Sequence, residues 1–583
     1  MNGWHGKILH INLTKKESSI ERPDHELYYK FIGGKGLSGY YLRKCATKEI
    51  DSDGMAILFF TGPLVGTTSP SPGRINITSI SPLTGTIGDT SVGGKFGSEL
   101  KKTGFDGIVI TGKSDELCGI EIIDEKVSFK ACDEARDLKI SEVLKKLSWQ
   151  GSVAAVGPSA FNGVLYSNIM IDGHYAAGRN GLGFICGIKN LKYLAVKGSK
   201  KTSIADKTEL KKAREDILRL VSASPVLMGD AGISKFGTGA LFDLISSRRM
   251  IPTMNFKETS FEDPEKMNAF SYQKEFGVKH AGCQGCHVRC KKIAKDGRPL
   301  PEYETMSHFS ALLLNRDKES VVNANFICNE YGMDTISAAA TLACHSELTG
   351  EILKPETITN LLKDIGEGTC SERLLSKGSY RYAKEKGKKD LSITVKKQEL
   401  PAYDPRGAYG MALSYATSTR GGCHLRAYPV SHEILRKPVA TDRFSFSGKA
   451  RIIKIAEDVN AMADSLTICK FFLFAASLEE YSKIYSAVTG DKKSAQDLLD
   501  CGERIFYNDR VINSLNGFSK EEDDLPVRFF KEQGSSGNNI NVPPIDREDF
   551  LEARSKYYKV RGLSSEGMPT KDKVKELGLL WKN

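Results

Sequence analysis

Gly198–Asp206, GSKKTSIAD, divides the chain into two textures. On its C-terminal side, Asp206 stands where it can cap a helix through Thr208–Ala223, TELKKAREDILRLVSA, whose apolar residues recur at helical spacing. On its N-terminal side the chain is glycine-rich, with 28 of the 55 glycines in the first 200 residues. Between them lie short apolar runs: Lys7–Leu13 (KILHINL), Met55–Phe60 (MAILFF), Arg74–Thr78 (RINIT), Gly107–Thr111 (GIVIT) and Tyr193–Lys197 (YLAVK). They alternate or are continuously apolar and are bounded by Gly, Pro and Ser, the pattern of strands joined by tight turns. One helix is expected here, near Phe96–Thr103. Past Asp206, helical spacing recurs after Asp334 (DTISAAATLACHSEL), over Thr369–Lys386 and Lys449–Ala463, and around Gln496–Leu515. A second change of texture at Gly387–Thr394 (GKKDLSIT) marks a further boundary. The chain is therefore read as α+β: a β-rich domain over 1–201, then two mainly α-helical domains over 202–393 and 394–583.

At 583 residues the chain is too long for one domain. Its 27% charged and 40% apolar residues are those of a globular protein with ample core. No apolar run has the length of a membrane span, and the N-terminus MNGWHGKILH lacks the apolar core of a signal peptide. The 13 cysteines are an odd number and scattered, so they read as reduced cytoplasmic thiols rather than a disulfide framework. The net charge of +11 is spread along the chain. It suits a lysine-rich surface or the steering of an acidic partner, and no basic, aromatic-interleaved motif suggests nucleic acid.

Three glycine-bearing stretches stand out: Thr61–Arg74 (TGPLVGTTSPSPGR), Ser81–Glu99 (SPLTGTIGDTSVGGKFGSE) and Asp172–Gly187 (DGHYAAGRNGLGFICG). Each reads either as turn chemistry or as backbone brought close to a large phosphorylated ligand, with Arg74 and Arg179 adding charge. Gly178–Gly183 (GRNGLG) is not expected to open a helix after a strand, so a dinucleotide fingerprint is a poor match. The recurrence of such stretches hints at a loosely duplicated ligand-binding sheet.

His280–Cys290, HAGCQGCHVRC, places Cys283, Cys286 and Cys290 in a C-x2-C-x3-C spacing. Three thiolates so close suit an iron–sulfur cluster, with zinc or redox-active thiols as alternatives; a fourth ligand must come from far along the chain. Glu302 and Glu304 lie soon after, in PEYET, and in a strand would share one face. His424 lies in RGGCHLR beside Cys423, although adjacent residues seldom face each other as nucleophile and base. Capping is the plain reading of Asp334 and Asp464.

Taken together, TGPLVGTTSPSPGR, SVGGKFGSELKKTGFDGIVITGK, DGHYAAGRNGLG, C-x2-C-x3-C, YGMDTIS and ELPAYDPRGAYG with RGGCHLR make the chain resemble the tungsten-containing aldehyde ferredoxin oxidoreductase family over nearly its whole length. The resemblance implies a tungsten or molybdenum bis-pterin centre cradled by the β-rich domain and a [4Fe–4S] cluster. It also implies magnesium bridging the pterin phosphates, and oxidation of an aldehyde to its acid with electrons passed to ferredoxin or a ferredoxin-like subunit. The family motif D-x-x-G-L-C corresponds to Asp464–Cys469 (DSLTIC), making Cys469 the fourth cluster ligand, with Thr467 for glycine and Ile468 for leucine. The companion motif D-x-x-G-L-D reads Asn329–Asp334 (NEYGMD), with Asn329 for aspartate and Met333 for leucine. Asp334 and Asp464 are then pterin ligands, and Arg74 lies between cluster and pterin. Ser91 stands where asparagine is usual near the magnesium. Gly93 on one side and Ala176, Gly178 and Arg179 on the other match phosphate-binding turns, and Arg420 and Arg426 match basic pterin contacts. Glu304 and His424 are the catalytic pair. Some members hold a mononuclear iron between two protomers through an E-x-x-H motif; the matching positions here are Asn323 and Phe326, so an oligomer of that kind is not expected. Two other readings compete: the catalytic subunit of a complex running another two-electron reduction, such as that of an aromatic acyl-CoA ring, and a pterin-free iron–sulfur protein for electron transfer.

Overall fold

The computed structural model describes residues 1–537 and 539–580. The first 200 residues form twelve strands in two sheets: β1 (Ile8–Asn12), β2 (Glu17–Glu21), β3 (Ile57–Phe60), β4 (Ile75–Ile80), β5 (Ile87–Val92) and β6 (Gly107–Thr111) in one; β7 (Cys118–Ile123), β8 (Lys126–Ala131), β9 (Ser152–Ala155), β10 (Ile169–Ile171), β11 (Tyr175–Ala177) and β12 (Leu191–Lys197) in the other. The strand orders are β2-β1-β6-β3-β4-β5 and β8-β7-β12-β9-β10-β11. Each sheet begins with an antiparallel hairpin, ends its chain course with a strand slotted parallel to the first, and is otherwise antiparallel. One topology is thus drawn twice, and the duplication hinted at by the glycine stretches is a duplication of sheets. The match extends to the helices before the last strands, Phe96–Lys102 and Leu182–Ile188.

Period-2 alternation decides how the sheets pack. Ile57, Phe59, Ile75, Ile77, Ile108 and Ile110 from one sheet share a core with Ile120, Ile122, Ile169, Ile171, Leu194 and Val196 from the other. The opposite face of the first sheet, with Leu58, Phe60 and Val109, packs instead against C-terminal helices. The opposite face of the second, with Val153, Met170 and Tyr193, is covered by the helix Ile140–Leu147.

Asp206 caps the helix Lys207–Ala223, its carboxylate accepting from the Thr208 and Glu209 amides. Helices then dominate, including Tyr303–Phe309, Lys318–Tyr331, Thr335–Thr349, Lys449–Leu466 and Ala495–Leu515. Thr369–Lys386 is not one helix, because Gly378 at φ +85° separates the short turn Arg373–Lys377 from the helix Ser379–Glu385. GRNGLG does join a strand, β11, to a helix, Leu182–Ile188; Gly181 at φ +69° makes the bend that the residue pattern concealed. No helix among the described residues is long and apolar enough to cross a membrane.

The two sheets and the helical region meet at equivalent places. Gly62 follows β3, and a Cβ there would lie 2.4 Å from the Leu466 carbonyl oxygen; Gly157 follows β9, and its Cβ would lie 2.2 Å from that of Tyr331. Leu466 and Tyr331 are the third residues of DSLTIC and NEYGMD, each the last residue of its helix. Both helices end on a left-handed residue, Thr467 or Gly332, and the next amide, Ile468 or Met333, bonds back to the Ala463 or Cys328 carbonyl. Thr467 keeps this conformation without being glycine, and its hydroxyl accepts from the Gly62 amide at 3.0 Å.

Candidate active site

Glu304 lies in the first turn of the helix Tyr303–Phe309, so the one face that Glu302 and Glu304 would share in a strand does not form. Glu302 is the residue preceding that helix and pairs with Lys291, so the two carboxylates part company. His424 is carried by a loop that Gly421, at φ +90°, and Gly422 tuck beneath the hairpin of Thr394–Val395 and Gln398–Glu399; a Cβ on Gly422 would lie 2.6 Å from the Gln398 oxygen. The two meet with His424 Nε2 3.6 Å from Glu304 Oε1. Glu304 Oε2 accepts from the Ala402 amide at 2.7 Å, while Oε1 and His424 Nδ1 find no hydrogen-bond partner within the protein. The side chains keep 17% and 13% exposure within an otherwise packed shell.

Burial pushes the Glu304 carboxyl up to about 8, more than the Ala402 amide and Arg179 can offset. Burial and the cations Arg179, Arg420 and Lys470 hold the His424 imidazole well below its ordinary value, so it is neutral near pH 7 while most Glu304 keeps its proton. His308 packs behind them, its two ring nitrogens 2.9 and 3.1 Å from the Glu304 and Leu400 carbonyl oxygens.

The four cysteines lie within electrostatic reach of one another. Burial raises the Cys290 thiol, and Cys469 and Cys283 are among the charges acting on it; Cys469 is in turn acted on by Arg74, Cys283 and Cys286. Among the described residues no three His, Cys, Asp or Glu side chains converge as ligands of one ion do. A Cβ on Gly93 would lie 2.4 Å from Cys283 Sγ and 3.4 Å from the Arg74 guanidinium, so glycine brings β5 against the cysteine loop. Arg74 donates to the Ser91 hydroxyl at 3.1 Å and to the Ser91 carbonyl at 2.6 Å. The Ser91 hydroxyl is therefore engaged by Arg74.

Asp334 does cap its helix: it accepts from the Ile336 amide, the Ser337 hydroxyl and Arg179 Nε. Asp464 does not cap. It lies in the last turn of Lys449–Leu466, where the helix dipole disfavours a carboxylate, and Lys470 at 2.8 Å supplies the compensating charge. Its Oδ1 is buried and unpartnered. Asn329 holds the same place in the helix Lys318–Tyr331. Met333 and Ile468 are buried behind the two turns. Arg179 also reaches the Gly422 and Glu399 carbonyls at 2.6 and 2.7 Å, tying the second sheet to the His424 loop. Ala176 is exposed on β11, and a Cβ on Gly178 would meet only Ala176, at 3.6 Å.

The residue pattern gave no warning of the charges behind β5. Asp89 pairs with Arg426, and with Lys35 at 3.2 Å; Lys35 also reaches Asp509 at 2.7 Å. Burial alone would raise the Asp89 carboxyl, but Arg426 and Lys35 hold it well below the usual range. The one available signal was GGKG at Gly33–Gly36, a lysine among glycines. Arg420 donates to Cys423 Sγ at 3.0 Å, so Cys423 turns towards arginine and is no nucleophile for its neighbour His424. Arg426 Nε and Asp509 Oδ1 are buried without partners. With Asp464 Oδ1, Glu304 Oε1 and His424 Nδ1 they leave donors and acceptors of both kinds, which fits a large polar cofactor bearing phosphates and ring N–H groups.

Residues 8–198 match the family model for the aldehyde ferredoxin oxidoreductase N-terminal domain, and residues 212–579 that for domains 2 and 3. The chain is 34% identical over 607 residues to the tungsten-containing aldehyde ferredoxin oxidoreductase of Pyrococcus furiosus, covering 99% of each. It is 25% identical to a WOR-like subunit of aliphatic sulfonate oxidoreductase from the same organism, over 99% of this chain and 97% of that one. The active-site complex BamBC of benzoyl coenzyme A reductase, solved with 1,5-dienoyl-CoA, shares the fold at a TM-score of 0.85 and 21% identity, over 99% of this chain and 97% of that one. On the two family matches and the full-length identity, the chain belongs to the aldehyde ferredoxin oxidoreductase family.

Proposed function

We propose that this protein oxidises an aldehyde to the carboxylic acid at a tungsten bis-pterin centre. Cys283, Cys286, Cys290 and Cys469 would hold a [4Fe–4S] cluster, which would supply one-electron transfer to ferredoxin or a ferredoxin-like subunit. The observation that carries the reading is the Glu304–His424 pair, 3.6 Å apart, in which each side chain keeps one buried polar atom without a partner in the protein. The overall change, RCHO + H2O → RCOO⁻ + 3H⁺ + 2e⁻, needs groups that take protons as well as a redox centre. When bound, the metal–pterin group supplies the two-electron chemistry.

The residues supply the rest. Glu304 Oε1, once deprotonated, orients water and takes its proton. The neutral His424 ring hydrogen-bonds the aldehyde oxygen or receives the next proton. The Ala402 amide holds the other Glu304 oxygen, which leaves Oε1 free on the side of His424. Asp334, Asp464 and Asn329 would accept from pterin N–H groups, with Met333 and Ile468 backing them. Gly93, Ala176, Gly178 and Arg179, with Arg420 and Arg426, would hold the phosphates, whose own oxygens would carry the magnesium. Arg74 would sit between cluster and pterin.

The test is metal analysis with a turnover assay on anaerobically purified protein. Tungsten or molybdenum, about four irons per chain and aldehyde-dependent viologen reduction are expected. Iron without the heavier metal would favour a pterin-free electron-transfer protein, and full cofactor loading without aldehyde oxidation would favour another two-electron substrate.

A further inference from the structure

A wall of aromatic rings adjoins the Glu304–His424 pair. Tyr428 lies 6.0 Å from the His424 ring, 5.8 Å from Tyr403 and 6.0 Å from Phe474, centroid to centroid. Tyr403 in turn lies 5.5 Å from His424. Tyr403 is fully covered, but Tyr428 and Phe474 are only half-buried, as are Glu304 and His424.

Tyr428 is held there at a backbone cost. Its φ is +54°, a left-handed conformation in which a bulky side chain is strained. The Ser431 amide and hydroxyl both donate to its carbonyl at 3.1 Å, closing the turn, and its own hydroxyl meets that of Tyr403 at 3.1 Å. Phe474 ends the short turn Lys470–Phe474 that starts beside Cys469, and stacks on Phe471 at 6.2 Å. The one cation of that turn, Lys470, is paired with Asp464, and the carboxyl acting on Tyr428 is that of Glu304, most of which keeps its proton near pH 7. The wall therefore offers ring faces and ring edges without a free charge. That surface suits a flat, neutral ligand: a ring gains offset or edge-to-face contacts that a short alkyl chain cannot make.

We propose that this wall is an aromatic subsite in which Tyr428 and Phe474 hold the ring of an aromatic aldehyde with its carbonyl towards Glu304 and His424; the proposal rests on the aldehyde reading above. Tyr428 is then a specificity-determining residue. The test compares kcat/KM for benzaldehyde and butanal in the wild type, Tyr428→Phe, Tyr428→Ala and Phe474→Ala. The wild type should favour benzaldehyde. Tyr428→Ala should cut that preference about tenfold, the size of one or two lost ring contacts, and Tyr428→Phe, which keeps the ring, should retain it. A readout without turnover is calorimetric binding of benzoate and butyrate to the holoenzyme, where Tyr428→Ala should lose the benzoate preference. Should Tyr428→Ala fail to fold, Phe474→Ala decides, with the same shift expected. A wild type that prefers butanal, or alanine variants whose ratios stay within twofold, would overturn the subsite. Tyr428-dependent benzoate binding by an enzyme that oxidises no aldehyde would overturn the aldehyde reading and leave the subsite standing.

Discussion

Gly93→Ala should cost the protein its iron while leaving it folded. The added methyl would lie 2.4 Å from Cys283 Sγ. Nonbonded heavy atoms settle about 3.5–4.0 Å apart, so from that 2.4 Å contact the sulfur must retreat by about 1.1–1.6 Å. Metal–ligand distances tolerate only about ±0.2 Å, so the ligand is lost rather than stretched. Gly93 has no positive φ, which leaves sterics as the sole effect, and overpacking of this kind costs about 1–3 kcal/mol. Gly178→Ala is the matched control, since its methyl would meet only Ala176 at an ordinary 3.6 Å. Both variants should be purified without oxygen and compared for iron per chain, visible absorption and thermal midpoint. The expected result is low iron and a bleached spectrum for Gly93→Ala alone. Wild-type iron in Gly93→Ala, or equal loss in both variants, would refute the placement of β5 against the cluster loop.

Three further outcomes are expected. The rate of aldehyde oxidation should rise with pH as Glu304 sheds its proton near pH 8, because the base form is the one that accepts a proton; Glu304→Gln should lower turnover about 10²-fold or more with full metal loading and flatten that limb. Cys469→Ser should lower iron content as Cys283→Ser does, whereas Cys328→Ser and Cys344→Ser, buried in the helical core, should leave it unchanged. Electron transfer to an acidic carrier should slow steeply from low to physiological salt while reduction of a small neutral dye does not, and equal salt dependence would remove the steering argument.

What the sequence disclosed follows the range of the interactions involved. Asp206 and its helix, the strands around Ile57–Phe60 and Gly107–Thr111, and the C-x2-C-x3-C loop rest on neighbours a few residues away, and all were legible. The doubled sheet showed only as a recurrence of glycine stretches, because strand order is set by pairings across the domain. Whether Glu304 stood in a strand or a helix was not legible: five residues cannot reveal that Thr238 accepts the Tyr303 amide and starts a helix there. Asp464 read as a cap because its role at a helix end depends on Lys470 and on the glycines facing it. Lys35, Asp89 and Asp509 stayed invisible, since three charges from distant segments signal nothing until they are buried together. The pairing of Glu304 with His424 came from family resemblance, not from either residue's surroundings.

The glycine seam also governs the order of manufacture. A Cβ on Gly34 or Gly62 would strike the backbone of residues 464–466, and Lys35 finds a carboxylate at Asp509. On the ribosome the first sheet is finished long before either partner exists. At roughly 5–20 residues per second, tens of seconds pass in which the seam and the lysine face solvent. Anything lodged between the sheets and the helical region is enclosed only after that interval, when the late helices dock onto the early platform. A ribosome-bound fragment ending before residue 464 should therefore present this platform open, with its glycine backbone accessible to protease, and the completed chain should hide it.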